Sequence, residues 1–89
     1  MSSVIKASEK LRQMRNIVSE DLEHIPRFGF EQNMFRQLYA ALRMNSLGRK
    51  AQYENSESEV LKACVKEYKK KKPDFKPKFD EKYFGVKRQ

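Results

Sequence analysis

The chain has 89 residues, enough for one small domain, which at that size keeps a large part of its surface in water. Charged residues make up 36% and hydrophobic residues 38%, but six Phe and four Tyr predict a folded core, and a single cysteine excludes an internal disulfide or a paired-thiol metal clip. The formal charge of +8 points to an acidic partner, whether nucleic acid, anionic lipid or the acidic face of a protein, and no apolar run approaches the ~20 residues of a membrane span.

Val4, Ala7, Leu11, Met14, Val18 and Leu22 recur at spacings of three and four, which predicts a first helix running to His24 with Ser2 or Ser3 as its cap. Its charges run against the helix dipole, with Lys6, Lys10, Arg12 and Arg15 in the first half and Glu20, Asp21 and Glu23 at the end. Local helix stability does not account for that order. A basic, Ser-containing amphipathic beginning has the character of a mitochondrial presequence, and on this ground the matrix side of the mitochondrion is the expected location, with the cytoplasm as the alternative. The competing account is a solvated helix whose ends meet differently charged neighbours. Glu20 and His24 lie four apart, as half of a metal site would, but the chain has no second histidine. No metal and no cofactor are expected.

Pro26 closes the first helix, and Ile25-Pro26-Arg27-Phe28-Gly29-Phe30 reads as a turn in which Phe28 and Phe30 pack as a hinge between helices. Contact of these two rings with a partner is the alternative. A central helix is expected from Glu31 to Leu47, with Phe35, Leu38, Tyr39 and Leu42 on one side, Met34 and Ala41 widening it, and Arg36 and Arg43 opposite, toward solvent or a partner. Gly48 is expected to end it in the left-handed conformation. Within this helix, Leu38-Tyr39-Ala40-Ala41-Leu42-Arg43 resembles the motif of the LYR-motif family, small mitochondrial helical proteins that serve as respiratory-complex subunits and assembly adaptors. The resemblance covers six residues. Ala40 stands where that family has its defining arginine, the second leucine arrives one residue early, and the segment lies mid-chain, so the family's acyl-carrier and iron–sulfur roles are not carried over.

After a basic connection containing Arg49 and Lys50, Asn55-Ser56-Glu57-Ser58-Glu59 predicts a third helix, because Ser56 can cap the amide of Glu59 while Glu59 reaches back. Tyr53 is placed to staple its first turn, and Val60, Leu61, Cys64, Val65 and Tyr68 form its buried stripe. Acidic residues open this helix and Lys69, Lys70, Lys71 and Lys72 close it, in agreement with the dipole. Pro73 ends it. Two further features, Pro77 and the spacing of Phe75 and Phe79, predict an extended arm over residues 73–89, in which Asp80 caps one turn carrying Tyr83 and Phe84. Burying four rings does not offset the backbone entropy of ordering this arm, so if it is ordered it must also gain hydrogen bonds along the three helices or another chain.

Enzymatic chemistry has no foothold here: there is no Gly-rich phosphate loop and no paired metal-ligand spacing, and Cys64 lies on an apolar stripe on a different helix from His24. The expected architecture is all-α, a three-helix unit over residues 1–72, made of a hairpin plus a third helix, followed by the arm. The expected function is that of a non-catalytic structural or accessory subunit of a larger protein assembly, such as a matrix-side subunit of a mitochondrial respiratory-type membrane complex. Its partner-facing residues would be Arg36, Arg43, Arg49, Lys50, Lys69 to Lys72, Phe75, Phe79, Tyr83 and Phe84. The alternative is a ribosomal or other RNA-associated protein that sets the same cations on phosphate and uses Phe75 or Phe79 for base stacking. Attachment to an anionic membrane surface ranks lower, because the basic residues do not form one stripe opposite an apolar face.

Overall fold

The computed structural model describes residues 2–48 and 57–84, the backbone alone at 2–6 and at 84. Four helices follow one another: α1 (Ser2–Leu22), α2 (Gly29–Gly48), α3 (Glu57–Lys71) and the single turn α4 (Glu81–Phe84). Among the described residues there is no strand, and the chain is an all-α three-helix unit with an arm. No described helix is long and apolar enough to cross a membrane.

α2 is the middle helix, with α1 against one side and α3 against the other. Its buried residues are Gln32, Phe35, Tyr39, Arg43 and Ser46, a stripe at three- and four-residue spacing that is polar at three of its five positions. The apolar core lies mainly on the α3 side, where Ile25, Phe35, Tyr39, Val60, Leu61, Cys64 and Tyr68 are buried together. Phe35 and Tyr68 meet edge to face at 5.7 Å, and Phe75 of the arm closes the cluster 5.0 Å from Tyr68. The Cys64 thiol is fully buried and donates to the Phe35 carbonyl at 3.9 Å. Burial, and after it the charge of Glu67, pushes the thiol up to about 12. It is a core residue, as its place on the stripe implies.

The α1 end tightens before the turn, with Glu23, His24 and Ile25 each donating to the carbonyl three residues back. Gly29 then takes φ +86°, the left-handed backbone that starts α2. The expectation for Gly48 is corrected: it is the last residue of α2 and is not in the left-handed region. The stripe on α1 is also only half used. Val18 is buried and Met14 and Leu22 are half-buried, but Leu11 is 41% exposed. A Cβ on Gly48 would lie 3.6 Å from Met14 Cε, so the last residue of α2 lies beside Met14, one turn after Leu11.

The described part of the arm packs on the chain's own helices. Lys78 donates its amide to Gln32 Oε1 at 3.2 Å and accepts from Gln32 Nε2 at 2.7 Å, and the Asp80 amide donates to His24 O at 2.9 Å. Asp80 caps α4 through Tyr83 N, as its position before the turn predicts. Tyr83 stacks on His24 with centroids 3.5 Å apart and planes 9° apart. The arm thus links the end of α3 to the start of α2 and the end of α1.

Candidate functional site

The two arginines of α2 face inward. Arg43 is 7% exposed: its Nε donates to Asp21 Oδ2 at 2.9 Å, and its Nη2 lies 3.6 Å from Glu57 Oε1, so one guanidinium ties α1 to α3 through α2. Tyr39 donates to the same Asp21 oxygen at 3.1 Å. Burial first, then the charge of Asp21, raises the Tyr39 pKa and keeps the phenol a donor. Arg36 is half-buried and donates from Nη1 to the carbonyls of Leu22, at 2.7 Å, and Ile25, at the turn that follows α1. The expectation that Arg36 and Arg43 present themselves to a partner is therefore corrected. Their face of α2 is the one α1 covers.

Lys69, Lys70, Lys71 and Lys72 are exposed at the end of α3. Lys72 Nζ lies 2.9 Å from Glu31 Oε2, and this hydrogen bond and charge raise the Lys72 pKa; Lys70 approaches Glu67 at 3.8 Å. Phe75 and Phe79 are half-buried against the chain's own core, and Tyr83 keeps 45% exposure while its ring face is covered by His24. Arg49 and Lys50 lie outside the described residues, as do Ser56 and Tyr53. Phe84 belongs to the α4 backbone.

Open to solvent instead are the rings expected to form a hinge. Phe28 is 57% and Phe30 76% exposed, and Met34, one turn after Phe30, is 43% exposed. Neither ring packs between the helices, because the turn is held by backbone bonds and by Arg36. The Lys78 ammonium lies 5.2 Å from the Phe28 centroid. Phe30, Met34 and Leu38 line one wall of a groove of about 490 Å³ between α2 and α3, with Tyr68 and Lys71 opposite. The sequence did carry a signal for it. At 100° per residue Phe30 lies about 140° from Phe35, so the apolar arc of α2 that runs through Leu38 and Met34 to Phe30 is wider than its core contact, and its Phe30 end stays open.

The site is an apolar groove with a cationic edge, and it holds no grouping of nucleophile, base and oxyanion donors among the described residues. Comparison of the chain with protein-family models, with curated proteins and with solved structures gives no match in any of the three.

Proposed function

We propose that this protein is a small non-catalytic accessory subunit that docks into a larger protein assembly through the groove between α2 and α3. The observation that carries the reading is the exposure of Phe30 at 76% with Met34 beside it, on a domain that buries Phe35, Tyr39 and Tyr68. Paired large apolar side chains on an open groove mark an interaction site more often than a lone exposed residue does. The fitting occupant is an amphipathic segment of a partner subunit that lays apolar side chains on Phe30, Met34 and Leu38 and sets acidic ones against Lys71. A mitochondrial, matrix-side assembly belongs to the same proposal, on the strength of the basic amphipathic beginning.

An RNA-associated role draws on the same cations. The rings it needs for stacking, Phe75 and Phe79, are engaged with the core, which favours the subunit reading. Native capture of the full-length protein with and without nuclease separates the two. Recovery of one stoichiometric protein complex that survives nuclease supports the subunit role, and release of all partners by nuclease overturns it. Fractionation tests the location, which fails if the full-length protein stays in the cytosol.

A further inference from the structure

On the other side of α2, Arg15 of α1, Arg27 of the turn and Arg36 of α2 line a second groove of about 610 Å³, floored by Val18, Leu22 and Met44. Among the described residues none of the three guanidinium groups has a carboxylate within ion-pair distance. Lys70 of α3 and Lys72 just after it, by contrast, face Glu67 and Glu31. Glu23 is the one acidic residue of the lining, so the groove keeps an excess of positive charge. Arg36 is also fixed in orientation. Its Nη1 is held by the Leu22 and Ile25 carbonyls, and no acceptor among the described residues engages Nε or Nη2. Burial, and after it the positive charge of Arg27, lowers the Arg36 pKa, as cations crowded without a counter-charge require.

We infer that this groove binds a phosphate group, with Arg36 as a pre-set donor fork and Arg15 and Arg27 closing on the oxyanion from the two rims. Three arginines lining one groove suit the charge and the several acceptor oxygens of a phosphoester better than a single carboxylate. The apolar floor beneath them accepts the first carbon atoms attached to that phosphate. The ligand is either a soluble phosphoester or a lipid headgroup. This inference stands on its own observations and does not depend on the α2–α3 groove.

The test titrates the full chain with inorganic pyrophosphate by calorimetry, and separately floats it with phosphatidylcholine vesicles carrying phosphatidic acid. Two double variants are compared, Arg15→Gln/Arg27→Gln and Lys66→Gln/Lys69→Gln. Arg15 and Arg27 are exposed and hold no described element in place, so the fold is kept, and Arg36 is left intact because it caps α1. The arginine variant should lose at least about tenfold in affinity, the equivalent of one charge-assisted hydrogen bond, while the lysine variant keeps wild-type affinity. Saturable pyrophosphate binding with that pattern identifies a soluble phosphoester; flotation alone with that pattern identifies a headgroup. Absence of saturable binding to both probes overturns the inference, and so do equal losses in the two variants, which are the behaviour of diffuse charge.

Discussion

Gln32 and Lys78 exchange two hydrogen bonds, with the side-chain amide of a 2% exposed residue on α2 pairing both backbone groups of an arm residue 46 positions later. This imitates one rung of a sheet ladder between a helix and an extended chain. The arm needs it, because its rings alone do not offset its ordering entropy. Gln32→Ala should cost about 1–2 kcal/mol of stability, since the released Lys78 groups can turn to water, and should speed amide exchange at Lys78 and Asp80 with α1 and α3 unaffected. Unchanged exchange at Lys78 would show that the rings hold the arm without the amide.

Asp21, Tyr39, Arg43 and Glu57 form the polar half of the interior. Removing Arg43 alone leaves the Asp21 carboxylate, 3% exposed, with the Tyr39 hydroxyl as its remaining partner. Arg43→Met should therefore cost about 3–5 kcal/mol, a large part of what a domain this size has. Arg43→Met combined with Asp21→Leu should recover much of that, and fall short by about 1–3 kcal/mol for the Tyr39 hydroxyl left without its acceptor. Urea unfolding midpoints measure both. A double variant no better than the single one would mean that the network fixes the helix arrangement and is not an isolated charge pair.

That network marks the limit of what periodicity can read. The three helices, the break at Pro26, the burial of Cys64 and the Asp80 cap follow from local rules, and each is present. Periodicity places Arg43 outward because a wheel records one apolar face, whereas a middle helix is covered on two sides and its second side is free to be polar if partners arrive from elsewhere in the chain. Asp21 is 22 residues away from Arg43, and no local pattern joins them. Phe30 differs for the converse reason: as an aromatic residue beside a glycine turn it looks like hinge packing, yet it stands exposed on the wall of the α2–α3 groove. Both errors come from counting faces on one helix without knowing how many helices touch it.

The buried thiol and phenol predict an alkaline limit to stability. Cys64 is raised from 9.0 to about 12 and Tyr39 is raised above its usual value, both mainly by burial. The sign follows from the proton count. Below pH 9.0 the thiol is protonated in both states and its stabilising contribution is intact; as pH rises further the unfolded chain loses the proton first, and stability falls until the folded thiol also ionises near 12. The slope is at most about 1.4 kcal/mol per pH unit for one such group. Cys64→Ala should flatten the first part of that decline, and the Tyr39 phenol should account for what remains. Denaturant unfolding at stepped pH measures it, and a Cys64→Ala profile parallel to wild type would sink the assignment.

The two sets of rings give opposite predictions. Phe30 and Met34 line the open groove, so Phe30→Ser with Met34→Ser should leave stability within about 0.5 kcal/mol, as surface substitutions do, while abolishing recovery of the partner complex. Phe75 packs between Phe35 and Tyr68, so Phe75→Ala should cost about 2–4 kcal/mol, somewhat less than a fully buried ring. Its effect on capture should then follow the folded fraction and be relieved at lower temperature, where more of the variant is folded. Thermal midpoints and capture yields on the same preparations separate the cases. Undiminished capture with Phe30 and Met34 replaced would remove the α2–α3 groove as the docking surface, and loss of capture by Phe75→Ala with the domain fully folded would return that role to the arm.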